Sequence, residues 1–148
     1  MKYDDLKVGA VMTFPPVVVT EEEMISFARQ YDPQWFHVDK EAAGEGRWGG
    51  LIASGWLSCA IAMRLVVDNI LHDSESFGSP GLEKLRWLRP VRPGDALSLH
   101  VTVDSKRTSS TRSDLGIVRW SWQLFNQNGE EVLDTEVTSM FDLGTGSA

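Results

Sequence analysis

Residues 55–71 read GWLSCAIAMRLVVDNIL, and this stretch decides the fold. It is apolar on almost every side, because its charged and amide residues, Arg64, Asp68 and Asn69, come only towards its end. A helix that is hydrophobic all round has to be enclosed by other parts of the protein. At the rise of an α-helix the stretch is roughly 25 Å long. The sequence therefore predicts one long central helix that is almost fully buried.

Downstream of this helix the hydrophobic period changes to that of a strand. Apolar residues occupy every second position from Leu97 to Val103, which is typical of a strand with one buried face. Asn128-Gly129 is a hairpin turn signal. Further strands are predicted at residues 9–19, 82–88, 117–125 and 132–141. Strands and helices do not alternate throughout, so the pattern predicts an α+β chain in which an antiparallel sheet wraps the helix, and disfavours a doubly wound fold.

Length and composition limit the possible number of domains, the binding partners and the location of the protein. The 148 residues predict one domain over residues 1–148, with a core at about residues 6–142. The net charge of −7 argues against a nucleic-acid-binding protein, which normally presents a basic face. No apolar run is long enough for a membrane span and the first residues do not form a signal peptide, so a cytoplasmic location is expected. The single cysteine, Cys59, is expected to be a buried, unreactive thiol.

Residues suited to proton chemistry lie before the central helix, in the run Asp32-Pro33-Gln34-Trp35-Phe36-His37-Val38-Asp39. Thr20 is the expected N-cap of the preceding helix and Pro33 ends it, so this run is predicted to be a loop or irregular strand. One tight loop can point Asp32 and His37 into the same cleft. Histidine exchanges a proton at little cost near neutral pH, and a carboxylate beside it can activate water or orient the ring.

Gly55, at the expected start of the central helix, is the candidate for stabilising negative charge. The first amides of a helix have no intrahelical acceptor, and glycine lets a carbonyl group approach closely. Gly55 is therefore predicted to supply an oxyanion hole. Each residue also has a purely structural interpretation: Asp32 can form a turn, His37 can be a hydrogen-bonded histidine, and Gly55 can permit close packing. Their combination at these spacings favours the catalytic interpretation.

A metal site is the weaker interpretation of the same histidine. His37-Val38-Asp39 has the spacing of two ligands of an iron site, with His72 or His100 as the third. His72 lies in a polar stretch and His100 on the polar side of a strand, so no metal is predicted.

Two other groups of residues flank the candidate site. Trp35 lies between Asp32 and His37 in the sequence and is a candidate wall of a pocket. Three arginines are expected to form a solvated face or to meet the phosphates of a cofactor tail: Arg86, Arg89 and Arg92.

Taken together, these motifs resemble the MaoC-like dehydratase family, which includes the R-specific enoyl-CoA hydratases. The family's motif runs Asp-x-Asn-Pro-x-His-x-Asp, then an alanine-containing turn, then Pro-Ile-x-His-Gly. Asp32, His37 and Asp39 match the first part, and the run Ile52-Ala53-Ser54-Gly55 matches the last. Residues 87–95, WLRPVRPGD, resemble the family's aromatic-x-x-Pro-Val-x-x-Gly-Asp strand and turn.

The chain departs from the family pattern at four positions. Gln34 replaces the motif Asn, Trp35 and Leu51 replace prolines, and Ser54 replaces the second His. Gln34 can still hydrogen-bond an acid/base pair, although with a longer reach, and Trp35 adds bulk near the site.

The resemblance implies a hot dog fold, a curved antiparallel sheet around one long helix, and a homodimer or a higher assembly of dimers. It implies reversible hydration of a 2-enoyl-CoA to an (R)-3-hydroxyacyl-CoA without a metal or redox cofactor. Asp32 and His37 would hold and activate the water, supported by Gln34. The Gly55 amide, with the Ser54 hydroxyl nearby, would hold the thioester oxygen. An acyl-CoA thioesterase and a non-catalytic acyl-CoA-binding subunit remain open as alternatives.

Overall fold

Four α-helices and six strands make up the part of the chain that a computed structural model describes, residues 1–144. After a 3-10 turn at Tyr3–Asp5 they follow in the order β1 (Val11–Thr13), β2 (Val17–Val18), α1 (Glu21–Tyr31), α2 (Trp35–Val38), α3 (Lys40–Glu45), α4 (Gly55–Val66), β3 (Ser76–Trp87), β4 (Ala96–Thr108), β5 (Leu115–Phe125) and β6 (Glu131–Asp142). One π-helical turn, Val67–Leu71, extends α4.

The strands form one antiparallel sheet in the order β1-β4-β5-β6-β3, and β2 also pairs with β4. The hairpin between β5 and β6 turns where the sequence predicted it, with Gly129 at a φ of +74° that favours glycine. With α4 packed on the sheet, this is the predicted α+β hot dog fold. None of the helices within residues 1–144 is both long and apolar enough to cross a membrane.

The alternating residues of β4 point into the core, as predicted. Leu97, Leu99, Val101 and Val103 are all fully buried. They join the inward side chains of β5 and β6 and one face of α4 in a single hydrophobic core. A strand turns every second side chain to the same face, which is why this alternation predicted the buried side of the sheet.

The outer face of α4 shows that the prediction of an almost fully buried helix is wrong for the single chain. Trp56 is 57% exposed, Met63 39% and Val67 38%. These residues follow one another along the side of the helix that faces away from the sheet, because a single sheet can cover only one side of a helix. Cys59 is likewise half-buried instead of buried.

Strand boundaries differ from the prediction where proline and glycine interrupt the chain. The predicted opening strand is divided into β1 and β2 at Pro15-Pro16. β3 begins at Ser76, earlier than predicted, and its pairing with β6 shifts register around Gly78 and Gly81. Among the described residues β3 pairs on one side only, and an edge strand tolerates such irregularities.

Candidate active site

A cavity of about 440 Å³ opens where the start of α4 meets the segment between α1 and α2 and the turn after β3. Its walls are mostly apolar, and five of its lining residues have polar side chains. The lining residues are Asp32, Gln34, His37, Trp48, Ile52, Ala53, Gly55, Trp56, Ser58, Trp87, Leu88, Arg89, Pro90 and Val91. The cavity thus brings together Asp32, His37 and Gly55, the three residues that the sequence singled out.

Asp32 and His37 meet because the chain between them makes one turn of helix. Asp32 ends α1, with its amide donating to the Ala28 carbonyl at 2.8 Å. The segment was predicted to be a loop or irregular strand, and this is wrong: residues Trp35–Val38 form α2. Pro33 ends one helix, but it does not prevent the next from starting after Gln34, and the new turn brings the His37 ring back towards Asp32.

The protonation of the His37 ring is set by a backbone carbonyl. Nδ1 lies 2.7 Å from the carbonyl oxygen of Ile52. A carbonyl oxygen only accepts, so Nδ1 carries the hydrogen. The other ring nitrogen, Nε2, faces Oδ2 of Asp32 at 3.2 Å, and the side chain is only 6% exposed. Nε2 is therefore the nitrogen that is available for proton transfer.

The Asp32 carboxylate is held by two side-chain donors. Gln34 donates its amide hydrogen to Oδ1 at 2.7 Å, and Ser54 donates its hydroxyl hydrogen to Oδ2 at 2.7 Å. Burial by itself raises the pKa of Asp32, but the two hydrogen bonds and the nearby His37 outweigh it, so the pKa lies below its usual value. Asp32 is therefore an ionised carboxylate at neutral pH.

Together, Asp32 and His37 form a proton-transfer pair. With Nδ1 committed to Ile52, a neutral His37 turns the lone pair of Nε2 towards an ionised carboxylate. Two acceptors do not bind each other, so the pair is stable when it shares a proton or when a donor such as water binds beside it within reach of both atoms.

Ser54 and Gly55 occupy the start of α4. Ser54 is fully buried and its oxygen also accepts from the Trp56 amide at 3.3 Å, which caps the helix. Its only hydrogen is donated to Asp32, so the hydroxyl belongs to the same hydrogen-bond network as Asp32 and His37. Gly55 lines the cavity, and its amide donates to no other group in the described part of the chain.

Trp87 is a cavity residue that sequence reasoning did not single out as functional. Its Nε1 donates to the carbonyl oxygen of Gly55 at 2.8 Å, and its ring forms an edge contact with Trp56. The only sequence feature that could have pointed to it is its place at the start of the WLRPVRPGD run. Trp87 lies 32 residues after Gly55, and the Ile52 carbonyl lies 15 residues from His37, so neither contact is local in sequence. For this reason the sequence did not predict either contact.

The three arginines that flank the candidate site make different contacts. Arg92 donates to the carbonyls of Trp48 at 2.6 Å and Gly50 at 3.5 Å, so it is anchored to the backbone of the loop before α4. Arg89 pairs with Glu130 at 3.1 Å, and Arg86 is exposed.

Trp35 and the residues of the weaker metal hypothesis other than His37, which are Asp39, His72 and His100, are not among the residues that line the cavity. The Trp35 indole packs over Gly46. Asp39 caps α3, His72 pairs with Asp73 at the surface, and His100 stacks on Phe125. Within residues 1–144 there is no group of three His, Cys, Asp or Glu side chains that could hold a metal ion.

Comparisons of the sequence and of the structure with known proteins point to related proteins. The chain matches the family described as MaoC like domain over residues 6–119. A MaoC-like dehydratase from Rhodospirillum rubrum is 36% identical with a TM-score of 0.87, and the match covers 95% of each chain. The unliganded R-hydratase PhaJ1 from Pseudomonas aeruginosa is 26% identical with a TM-score of 0.77, covering 96% of this chain and 86% of that one. The 3-hydroxyacyl-thioester dehydratase Z of Mycobacterium tuberculosis is 36% identical over a matched segment that makes up 53% of this chain and 53% of that protein.

Proposed function

The chain belongs to the MaoC-like dehydratase domain family, and from this premise we propose that it is a hydro-lyase. It adds water reversibly to a 2-enoyl-CoA and forms an (R)-3-hydroxyacyl-CoA. The observation that carries the proposal is the Asp32–His37 pair, held at 3.2 Å at a cavity that Gly55 also lines. The R-hydratase and the 3-hydroxyacyl-thioester dehydratase among the similar proteins support the same reaction class.

The reaction begins with a water molecule that binds beside the pair, within hydrogen-bond reach of both Oδ2 of Asp32 and Nε2 of His37. The pair accepts a proton from this water as its oxygen attacks C3 of the enoyl group. The same pair then gives a proton to C2, so that one molecule of water has been added across the double bond. Proton transfer by positioned groups typically contributes about 10²–10⁴ in rate.

During the attack, electron density moves from the double bond to the thioester oxygen. We assign the stabilisation of this oxygen to the amide of Gly55, which is the first residue of α4 and is closest to the positive end of the helix dipole. A donor of this kind is typically worth about 2.7–4 kcal/mol at the transition state. Gln34 and Ser54 support the reaction by holding Asp32 ionised and correctly oriented.

Assembly is part of the proposal, because the cavity opens beside apolar surface. Trp56, Trp87 and Leu88 line the cavity and are about half exposed in the single chain. A second copy of the chain that packs against this surface would shield the thioester from bulk water. We therefore infer a homodimer as the smallest working unit, with dimer-based assemblies also compatible.

Two rival functions use the same fold. A thioesterase would use the carboxylate to direct water at the thioester carbonyl, and a binding subunit would need neither Asp32 nor His37. The arrangement of Nε2 and Oδ2 around one water site favours hydration at C3, since the pair can both accept and return a proton.

The test is to incubate the purified protein with trans-2-enoyl-CoA esters of several chain lengths and to measure the enoyl-thioester absorbance. Loss of the enoyl-thioester absorbance, with (R)-3-hydroxyacyl-CoA as the product and no thiol released, is the expected result. Release of free CoA, detected with a thiol reagent, would identify a thioesterase instead. Tight binding of the ester with no turnover at any chain length would favour the binding subunit.

A further inference from the structure

The indole of Trp87 occupies the space where a side chain on Gly55 would lie. A Cβ atom built on Gly55 would be 2.5 Å from Nε1 and 2.7 Å from Cδ2 of that ring. The same Nε1 donates to the Gly55 carbonyl at 2.8 Å. The contact therefore needs glycine at position 55 and a ring with an N–H group at position 87.

Trp87 reaches Gly55 from a rigid support. It is the last residue of β3, where it pairs with Leu133 of β6, and the next amide, that of Leu88, donates to the Val132 carbonyl at 3.0 Å. The two chain segments are also joined directly, because the Ala53 amide donates to the Val91 carbonyl at 2.9 Å. The sheet thus fixes the backbone of Trp87 relative to the start of α4.

A glycine at the start of a helix needs such an external restraint if its amide is to act on a substrate. Glycine has more backbone freedom than any other residue, and within residues 1–144 the Gly55 amide makes no hydrogen bond that would orient it. A donor lowers the barrier only when it is already aligned with the oxygen on which charge develops. The indole covers one side of Gly55 and binds its carbonyl, so it restrains the φ and ψ angles on which the amide direction depends.

On the basis of the hydratase function proposed above, we propose that Trp87 is a positioning residue that orients the Gly55 amide towards the thioester oxygen. Its role is separable from folding. The Gly55 carbonyl keeps its regular helical bond from the amide four residues later when the indole N–H is lost. Trp87 is also 46% exposed, so removing its N–H buries no unpaired group.

The test is Trp87→Phe, which keeps an aromatic ring over Gly55 and removes the N–H. The expected result is a fall of about tenfold in kcat with a KM within about threefold of the wild type, because the amide matters most in the transition state. The matched control is Trp35→Phe, since that indole covers Gly46 in the same way but lies outside the cavity lining.

A spectroscopic readout separates positioning from structure. A polarised thioester carbonyl shifts the absorbance of a conjugated dienoyl-CoA to longer wavelength, so Trp87→Phe should reduce the shift seen on binding while the melting temperature and Kd stay close to wild type. An unchanged kcat and an unchanged shift would overturn the proposal, as would a loss of activity that lies wholly in KM. Those outcomes require an active wild type, whereas a wild type that hydrates no enoyl-CoA contradicts the proposed function itself.

Discussion

The Asp32 carboxylate is the residue on which the proposed chemistry depends most directly. Replacing it by Asn keeps the shape and the contact with Ser54 but removes the negative charge that faces His37. We expect Asp32→Asn to lower kcat by about 10²–10⁴ while the protein remains folded. Hydration of enoyl-CoA and thermal melting measure the two effects separately.

The matched control for this variant is Asp39→Asn. Asp39 is exposed and caps α3 by accepting from the Ala42 amide at 3.0 Å, a role that Asn fills about as well. The Asp39→Asn variant should retain wild-type activity. Full activity in Asp32→Asn would rule out the assignment of the acid/base role to this pair.

Ser54 has two functions that a single substitution removes together. It caps α4 and donates to Asp32. Ser54→Ala is expected to lower the free energy of unfolding by about 1 kcal/mol for the cap alone and to raise the pKa of Asp32 towards its usual value. Thr20→Ala is the matched control, because Thr20 caps α1 through the Glu23 amide at 3.1 Å, away from the cavity.

The pH dependence of stability distinguishes the two cap variants. A carboxyl group whose pKa is lowered by folding contributes stability that is complete above its ordinary pKa, about 3.9, and is lost as the pH falls through the folded value. The part of the Ser54→Ala deficit that comes from Asp32 should therefore be present at pH 5–7 and shrink below about pH 4. Denaturant unfolding at several pH values checks this. The Thr20→Ala deficit should change less, and identical pH profiles would contradict the link to Asp32.

The proximity of Asp32 and His37 was predictable because both lie in one short segment, and either a loop or a turn of helix brings them to one side of the chain. The residues that hydrogen-bond to this site were not predictable. Ile52 and Ser54 follow Asp32 by about twenty residues, and Trp87 comes from a different strand. Such contacts arise from tertiary packing, which a local pattern does not specify.

Short helices are a second point at which local patterns fail. α2 has four residues, too few to show a helical period, and it begins two residues after the proline that marks the end of α1. In contrast, α4 is a long apolar run and β4 alternates regularly, and both were predicted. The sequence defines long segments through repetition, whereas single turns are decided by their neighbours.

The start of α4 offers a test of how closely the helix and β3 are fitted to each other. Gly55→Ala would place a methyl group against the Trp87 indole, so the ring has to move away and its bond to the Gly55 carbonyl is lost. We expect a fall of about 10² in kcat and a change in tryptophan fluorescence. The cost in stability should be modest, because Trp87 is half exposed and can turn aside.

Gly44→Ala is the matched control for that substitution. Gly44 lies inside α3 and no atom is within 4 Å of the position that its Cβ would take. Alanine there should raise the free energy of unfolding by about 0.5–1 kcal/mol without affecting activity. If Gly55→Ala behaved like Gly44→Ala, the contact between Trp87 and Gly55 would have no functional importance.

The hydrophobic pattern of α4 fits the proposed dimer better than a single chain. The sequence predicted burial on all sides, yet the structure covers one side and leaves Trp56, Met63 and Val67 exposed. On β3, Phe77, Leu82 and Trp87 are also about half exposed, and the strand pairs with β6 on one side only among the described residues. An unpaired apolar edge beside an apolar helix face is the kind of surface that proteins cover by association.

The association itself is the last prediction. Leu82, in the middle of β3, is 50% exposed, so Leu82→Lys should be tolerated in the folded monomer but would place a charge in the proposed dimer interface. We expect it to weaken dimerisation by at least about tenfold, measured by light scattering over a range of concentrations, and to lower activity in parallel. Val8→Lys is the control, because Val8 is 60% exposed and precedes β1 at the opposite edge of the sheet. A wild-type protein that is monomeric at micromolar concentration, or a Leu82→Lys variant that dimerises like Val8→Lys, would show that this surface is covered by something other than a second copy of the chain.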